Sequence, residues 1–514
     1  MRLAVLAVAA GIGVQSIPAR AALPPLEVVK NGESAYQIVS SASASREENR
    51  AAALLRDYLK TCGVVVKLVT DKEGNPVAER EIVVGATRRE SADLFEFDRH
   101  TVGNEGFMVK AAGQRVFILG GSAVGTRRGV EFFLREFCGY AGDPKVAAPL
   151  TALAIPADYE HRQRQEYALS SFTVAGRSLD ALTIASDAAN LSAAETLRGL
   201  IYDHAGLWLA IAPPPAAGPA IEFSSRKPAR AGGFEMEVAN GNLVLCTDLP
   251  HGFQRGIQCF FANEVRGVKG ALEMTEGFRY NQGFTGVVRY REFGAKGDGK
   301  TDDIDAIVAA HAFANQHGLP VRADEGATYY IGGKDRTAVI QTDTDFGTAA
   351  FIIDDTAVEN RGSNIFLVRS NLESFKPEGV TTLRRNQEKL AVAFPATCMV
   401  SVTDSNVKRY IRYGANRNNG SAQTDVFIVD RDGNVDMDAP IIWDFDQITA
   451  ITAQPLDETT LTITGGRFTT IANAAESKYT YYGRGIAIRR SNVVVDGLEH
   501  RVTGEGEQGA PYGG

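Results

Sequence analysis

The spacing of apolar positions in the first half of the chain predicts short strands that alternate with amphipathic helices. Apolar residues recur at helical spacing in RAAALLRDYLKTCG and GTRRGVEFFLREFCG, whereas EIVVGAT and GFMVKAAGQRVFILGG have the shorter period of strands. The same succession returns as SAAETLRGLIYDHAG, AIEFSS, GFEMEVANGNLVLCT and GFQRGIQCFF. Each copy gives the order strand, helix, strand, strand, strand, helix, which predicts two small domains of mixed α/β layers.

A fixed offset between the two copies indicates a tandem duplication, because four positions of the first copy are matched 127 residues later. The matched pairs are Gly106 and Gly233, Gly125 and Gly252, Arg128 and Arg255, and Gly129 and Gly256. We expect the first copy to occupy residues 22–160 and the second to occupy residues 161–280.

Both copies share a second signature around their last helix. A strand that begins with G-F leads to a strand that ends in G-G or T-D, and a helix that begins G-T-R-R-G or G-F-Q-R-G follows. Over most of residues 26–270 this pattern resembles the N-terminal domain of the alpha-glucuronidase family. In that family the domain is an accessory scaffold beside the catalytic barrel. The resemblance therefore implies a carbohydrate context, without implying catalysis in this part of the chain.

The second half of the chain consists of short β-type segments separated by Gly, Asn and Asp turns. Examples are ATYYIGG, AAFIIDD, IFLVRS, TCMVSVTD, DVFIVD, PIIWDFD, TLTITGGRFTTIA and NVVVDGLEH. This recurrence predicts the stacked strands of a solenoid. The polar, less regular run between Asn371 and Ala396 is predicted to be an insertion or a long loop. Because no polar capping element follows NVVVDGLEH, we expect the chain to continue beyond Gly514.

A helix is predicted where this region begins, in EFGAKGDGKTDDIDAIVAAHAFANQHGLP. Thr301 or Asp302 can cap it, its first turn is acidic, and Gly318 ends it. The helix is expected from about Asp303 to His317. Its inward-facing residues are expected to be Ile304, Ile307, Val308 and Ala314.

This passage resembles the entry motif of the pectate-lyase-like right-handed parallel β-helix proteins. That motif has the form F-G-A-x-G-D-G-x-T-D-D, followed by a helix and G-x-Y-x-I. In those proteins the helix covers the open end of the solenoid, which implies a structural role for Asp302 and Asp303 rather than a catalytic dyad. The predicted fold is therefore multidomain: two tandem α/β domains, then a right-handed parallel β-helix over residues 287–514.

Composition and charge exclude several classes of protein. The chain of 514 residues has a formal net charge of -8 and no basic tract, which argues against a nucleic-acid partner. The start, MRLAVLAVAAGIGVQSIPARAALPP, reads as a signal peptide over residues 1–21 that is too short for a transmembrane span. An exported protein, secreted, periplasmic or on the cell surface, is expected. The five cysteines have no C-x-x-C pair and are predicted to be buried free thiols.

The β-helix superfamily includes polysaccharide lyases, polygalacturonase-like hydrolases, epimerases and phage tailspike depolymerases, so the fold does not fix the chemistry. The G-H-G and R-I-K elements of the polygalacturonase pattern are absent from the sequence. Asp444 and Asp446 are candidate catalytic acids, because residues i and i+2 of a strand lie on one face about 6.6 Å apart. The alternative is an ordinary half-buried strand with Trp443 and Phe445 pointing inward.

A calcium loop is a weaker alternative in the same region. Asp430, Asp432, Asn434 and Asp436 resemble the first part of an EF-hand. The glycine is misplaced and the final glutamate is missing, and Asp432-Gly433 is also a hairpin turn signal. No cofactor is therefore predicted.

A second group of candidates lies near the C-terminus, in DGLEHRVTGEGEQGAPYGG. His500 is a candidate general acid or base, and Glu505 or Arg501 would position or neutralise a uronate. Stacking on sugar rings is assigned to Tyr481, Tyr482 and Tyr512. This hypothesis requires one groove shared by all of these residues, and the alternative is a solvated loop.

Together these features predict a carbohydrate-active protein that binds and cleaves a polysaccharide by hydrolysis or elimination. The alternative is a non-catalytic glycan-binding or adhesive surface protein. The sequence specifies neither the glycan nor the oligomeric state.

Overall fold

The computed structural model describes residues 23–90, 94–360, 362–409, 420–474 and 483–505, and the predicted signal peptide lies outside them. Over these residues the protein is multidomain and mostly β, with five α-helices. No helix in this part of the chain is long and apolar enough to cross a membrane. Two compact units are present. One comprises the described residues up to Phe172 with Arg198–Ala210 and Lys269–Leu272, and the other comprises Thr173–Leu197, Ile211–Val268 and the residues from Glu273 onward.

The first unit contains a six-stranded mixed sheet. Four neighbouring strands are parallel, and the last two are antiparallel. The strand order is β3-β2-β4-β6-β5-β8, and β1 pairs with β7. The elements are β1 (Leu26–Lys30), β2 (Gln37–Ser40), α1 (Arg46–Thr61), β3 (Lys67–Thr70), β4 (Glu81–Val84), β5 (Phe107–Ala112), β6 (Arg115–Gly120), α2 (Ala123–Cys138), β7 (Ala152–Ile155) and β8 (Glu160–Gln163).

The second unit begins with another six-stranded sheet, ordered β12-β11-β13-β15-β14-β17. The elements of residues 169–283, of which β9, α3 and β16 belong partly to the first unit, are β9 (Leu169–Val174), β10 (Arg177–Ser178), β11 (Thr183–Ala185), α3 (Leu191–Ala205), β12 (Ile211–Ala212), β13 (Ala220–Ser224), β14 (Gly233–Ala239), β15 (Asn242–Thr247), α4 (Gly252–Phe260), β16 (Gly270–Met274) and β17 (Arg279–Gly283). Strand for strand, the order and the directions match those of the first sheet. A tandem duplication requires such a match. The predicted domain boundaries, residues 22–160 and 161–280, stay predictions.

The rest of the second unit is a curled parallel sheet, which we call the parallel coil (Val288–Thr503 without its insertion). Three series of parallel strands build it: β18-β20-β23-β28-β30, β19-β21-β23-β28-β31 and β22-β24-β29. The elements are β18 (Val288–Arg289), β19 (Asp298–Asp302), α5 (Ile304–His317), β20 (Val321–Arg322), β21 (Thr328–Ile331), β22 (Ala338–Ile340), β23 (Thr344–Asp354), β24 (Phe366–Arg369), β28 (Leu461–Ile471), β29 (Ile486–Arg489), β30 (Val493–Asp496) and β31 (Glu499–Thr503), with β25 (Cys398–Arg409), β26 (Ser421–Val429) and β27 (Ala450–Pro455) in the insertion.

Glycines allow β23 and β28 to bend from the first series into the second. Gly347 and Gly465 both have positive φ, at 50° and 67°. A Cβ atom on Gly465 would lie 2.5 Å from the carbonyl oxygen of Gly347 on the neighbouring strand. Only glycine permits this backbone approach. The bend therefore depends on two glycines in register.

An aromatic ladder fills the inside of the coil. Tyr329, Phe351 and Phe468 are successive partners in three neighbouring strands, and all three are buried. The rings of Phe351 and Phe468 are stacked, with centroids 4.6 Å apart and planes 9° apart. Each ring adds about 1.5–3 kcal/mol through burial. A slip by one residue would turn these rings outward, so the ladder fixes the register.

Helix α5 confirms the helix predicted at the start of this region, to within one residue at its N-terminus. Ile304 and Ile307 are fully buried against the coil interior, and Val308 is half-buried. Asp303 occupies the N-cap position, but its carboxylate accepts from the backbone N–H groups of Lys296 and Gly297 at 2.7 and 3.0 Å. Asp302, one of the two predicted caps, lies one residue before the N-cap position, and its Oδ1 accepts from the N–H of Ile304 at 3.2 Å.

Helix α5 also forms hydrogen bonds with the free edge of β22, the outermost strand of the third series. The side-chain amide of Asn315 donates to the carbonyl of Val339 at 2.7 Å and accepts from the N–H of Gln341 at 3.0 Å. Both groups belong to β22 or follow it directly. One amide thus satisfies two backbone groups that an edge strand would otherwise leave free.

A buried ion pair ties together three turns at one corner of the coil. Arg484 is 1% exposed and contacts the carboxylate of Asp355, which is fully buried. Arg484 also donates to the carbonyl of Gly332 at 3.1 Å, and Asn473 donates to the carbonyl of Asp355 at 2.7 Å. Burial raises the pKa of Asp355 although Arg484 opposes the shift. Removing one partner would leave a buried unpaired charge.

The predicted solenoid strands TCMVSVTD and DVFIVD are not part of the coil. They form an antiparallel sheet, β26-β25-β27, inserted between β24 and β28 with a core of its own. The insertion is therefore larger than the predicted run from Asn371 to Ala396. Alternating apolar residues have the same period in parallel and antiparallel strands, so the pattern could not distinguish them.

We expect Ile307→Asp to lower the free energy of unfolding by about 3 kcal/mol or more, because it buries an unpaired carboxylate under α5. Ala309→Asp, on the exposed face of the same helix, should cost less than about 1 kcal/mol. Urea unfolding followed by circular dichroism gives both values. Equal losses in the two variants would contradict the packing of α5.

Stability should fall as the pH drops from about 6.5 to about 3. Burial lowers the pKa of His311, 2.8 Å from the Tyr290 hydroxyl, to about 3. In this pH range the imidazole is protonated in the unfolded chain and neutral in the folded chain. The free energy of unfolding therefore falls by up to about 1.4 kcal/mol per pH unit. Urea unfolding of His311→Gln over this range should show a shallower loss. Parallel curves for the two proteins would contradict this assignment.

Candidate functional site

The outer face of the first strand series has a row of polar side chains in register. Arg322, Asp345, Thr464 and Asp496 are successive partners across four parallel strands. Parallel strands lie about 4.8 Å apart and alternate residues share a face, so these side chains project from one wall. We call these four residues the lateral row.

Hydrogen bonds order the middle of the lateral row. Arg322 Nε lies 3.0 Å from Asp345 Oδ2, and Thr464 Oγ1 donates to Asp345 Oδ1 at 3.1 Å. Asp343 Oδ1 accepts from the backbone N–H of Thr462 at 2.8 Å. These residues surround a depression of about 330 Å³. Its walls offer guanidinium donors together with carboxylate and hydroxyl acceptors.

A second depression, of about 300 Å³, lies on the next series. Arg467 and Glu499 are direct partners there, and Thr469 and Arg501 are the partners two residues further along. Arg501 Nη2 lies 3.8 Å from Glu499 Oε2. Tyr330 belongs to the same row as Arg501, and its hydrogen bond to Asp354 raises its pKa. Both outer faces of the coil therefore combine opposite charges with hydroxyl groups.

His500 does not lie on these outer faces. It is the β31 partner of Phe468 in register, and its side chain is exposed. Its Nε2 lies 3.0 Å from the hydroxyl of Thr470, and partial burial lowers its pKa. It lines a largely apolar cavity of about 400 Å³ with inward residues such as Ile463 and Leu498. The assignment of His500 as a general acid or base therefore stays a prediction.

The remaining members of the C-terminal group are not brought together. Arg501 follows His500 in β31, so the two side chains point to opposite faces of the strand. Glu505 is exposed two residues after β31. Tyr481, Tyr482 and Tyr512 lie outside the described residues. The groove that this hypothesis requires thus finds no support from the positions of His500 and Arg501.

Asp444 and Asp446 lie in the insertion, on a segment without regular strand structure. Only Phe445 between them forms a bridge, to Leu383. The N–H of Arg385 donates to Asp444 Oδ1 at 2.9 Å, and the exposed Asp446 carboxylate pairs with Arg384. The predicted strand face is therefore wrong. Phe445 is buried as expected, and the assignment of Asp444 and Asp446 as catalytic acids stays a prediction.

The carboxylate of Asp430 accepts hydrogen bonds from the backbone of a turn. It accepts from the N–H groups of Asp432 and Asn434 at 2.9 and 2.8 Å. Across the described residues, no group of three or more His, Cys, Asp or Glu side chains converges to hold a metal ion. All five cysteines are buried and free, as predicted.

The lateral row was not predicted from the sequence. The signal that could have revealed it is a polar residue shortly before a glycine at each bend, in TDFG, TGG and DGL. These correspond to Asp345, Thr464 and Asp496. The segments are separated by unequal lengths of chain, because the insertion intervenes between the first and the second. The row therefore has no constant period in the sequence.

Comparisons with known proteins give weak likenesses. No protein-family model and no curated protein matches the chain. The tailspike of Pseudomonas phage phi297 aligns over 43% of this chain and 50% of its own length, at 10% identity and a TM-score of 0.27. The N-acetyl-beta-hexosaminidase of Streptomyces plicatus aligns over 64% of this chain and 71% of that chain, at 13% identity and a TM-score of 0.20. The GH20 beta-N-acetylhexosaminidase of Streptomyces coelicolor aligns over 69% and 79%, at 12% identity and a TM-score of 0.20. This chain therefore spans half of the tailspike, and TM-scores at this level do not establish a common fold.

Proposed function

We propose that the protein is exported, that its parallel coil is a right-handed parallel β-helix, and that it binds a polysaccharide along the lateral row. The observation that carries this proposal is the register of Arg322, Asp345, Thr464 and Asp496 on one wall. Right-handedness follows the strong preference of parallel crossover connections. Export rests on the N-terminal sequence alone.

The row suits a polyhydroxylated ligand that extends across the strands. Sugar hydroxyls both donate and accept hydrogen bonds, and Arg322 beside Asp345 offers donors and acceptors within 3.0 Å of each other. Charged hydrogen bonds to such groups contribute about 1.5–3 kcal/mol each. Four strands span about 14 Å of wall. A chain of sugars can therefore contact several positions of the row at once.

Cleavage is a second candidate function, favoured by the spacing of two carboxylates. Asp345 and Asp496 occupy the same row with one strand between them, which separates their backbones by about 9.6 Å. Inverting glycosidases use carboxyl groups about 6.5–9.5 Å apart, with room for a water molecule between acid and sugar. This spacing supports hydrolysis more directly than elimination.

Arg322→Gln should weaken binding to the polysaccharide that the protein retains from a panel of acidic and neutral glycans. The expected loss is about tenfold or more, because one charged hydrogen-bonding group is removed from the row. Affinity electrophoresis measures the change. Arg431→Gln is the matched control, since Arg431 is an exposed arginine paired with Glu458 in the insertion. Equal affinity of Arg322→Gln and the wild type would contradict binding at the lateral row.

The same panel separates binding from cleavage. Hydrolysis gives new reducing ends, and elimination gives products that absorb as unsaturated uronates. If hydrolysis occurs at this site, Asp345→Asn and Asp496→Asn should each lower its rate by about 100-fold or more. Binding without new ends supports the non-catalytic alternative, and cleavage that survives both substitutions excludes this acid pair.

A further inference from the structure

A polar cavity lies inside the second unit, between the second α/β sheet and the first turn of the parallel coil. It has a volume of about 530 Å³, within the range of small-molecule sites. We call it the joint cavity. Its polar lining includes Asn263 after α4, Glu264, Gln282 on β17, Arg289 on β18, Arg291 and Glu292.

A bidentate ion pair makes the wall of this cavity rigid. Arg255 on α4 donates to both carboxylate oxygens of Glu292, at 2.8 and 2.9 Å. It also donates to the carbonyls of Thr285 and Val287 at 2.9 and 2.6 Å. Both side chains of the pair are more than nine-tenths buried. The negative charge of Glu292 is thus neutralised within the protein.

Arg289 is the positive group of the cavity that the protein leaves without an acidic partner. It is half-buried, and its one hydrogen bond is a long contact of 3.4 Å from Nη1 to the carbonyl of Ala323. Among the described residues no carboxylate pairs with it, whereas the neighbouring Arg291 pairs with Asp324 at 2.7 Å. A carboxylate that accepts two hydrogen bonds from a guanidinium forms one of the strongest hydrogen-bonded pairs in proteins, so a carboxylate is the ligand group that best fits Arg289.

The other free groups of the cavity are acceptors. The amide nitrogen of Asn263 donates to the carbonyls of Cys259 and Arg291 at 3.0 and 3.2 Å, which turns its oxygen away from these partners. Gln282 likewise donates through its nitrogen to Gly283 at 2.8 Å. Glu264 adds an exposed carboxylate at the rim. Hydroxyl groups of a ligand can donate to all three.

We propose that the joint cavity binds a small carboxylated sugar, such as a uronic acid. Its carboxylate pairs with Arg289, and its hydroxyls donate to Asn263, Gln282 and Glu264. The positive charge selects the acid, and the acceptors select a polyhydroxylated ligand over a simple anion. Arg289 on β18 is the register partner of Arg322 on β20, so the joint cavity adjoins the first position of the lateral row. The proposal rests on the cavity's own groups and does not require polysaccharide binding along the row.

Isothermal titration calorimetry of the full chain with D-glucuronate and D-galacturonate tests the proposal. At least one of them should bind at one site per chain, and glucose and acetate should bind at least tenfold more weakly. Arg289→Gln should lower the affinity at least tenfold. Arg279→Gln, which removes an exposed arginine from β17 outside the cavity, should leave it unchanged.

A glucuronate-terminated disaccharide distinguishes the source of the ligand. Tighter binding than free glucuronate supports the end of a glycan, and weaker binding supports the free acid. The proposal is overturned if neither uronate binds, if acetate or glucose binds as well as the uronate, or if Arg289→Gln retains full affinity. Should Arg289→Gln fail to fold, Gln282→Ala replaces it, and unchanged affinity in that variant counts against the site. Loss of polysaccharide binding in Arg322→Gln with uronate binding intact would show that the two sites act independently.

Discussion

The packing of Tyr329, Phe351 and Phe468 inside the parallel coil is the interaction on which the rest of this region depends. These rings are partners in successive strands, and a slip by one residue would expose them to water. The same register that brings the rings together inside also aligns the polar residues outside. The lateral row is therefore a geometric consequence of the packed interior, and its side chains need no separate element to position them.

The ends and corners of the coil are stabilised by polar groups, because the interior alone leaves backbone groups unpaired there. Asn315 pairs the edge of β22, and Arg484 with Asp355 joins three turns at one corner. Neither device adds much apolar burial. Both remove the cost of buried groups that lack hydrogen-bond partners.

The features predicted best from the sequence are those that depend only on residues close together in the chain. The helix from Ile304 to His317 is an example, since its acidic first turn and its C-terminal glycine are local signals. The identity of the insertion was missed because period-two alternation is common to parallel and antiparallel strands. The face of the strand on which His500 lies could not be predicted for a related reason. Its neighbours in sequence are charged, but its register partner Phe468 lies in another strand.

Disulfide formation across the lateral row tests the register most directly. Asp345 and Thr464 are partners in adjacent parallel strands, about 4.8 Å apart, so Asp345→Cys with Thr464→Cys should form a disulfide under mild oxidation. The native cysteines are buried and should not take part. Asp345→Cys with Thr462→Cys, about 8 Å apart, should remain reduced. Thiol counting and mass spectrometry read the result. Preferential crosslinking of the second pair would contradict the account, because it would show that the strands are paired in another register.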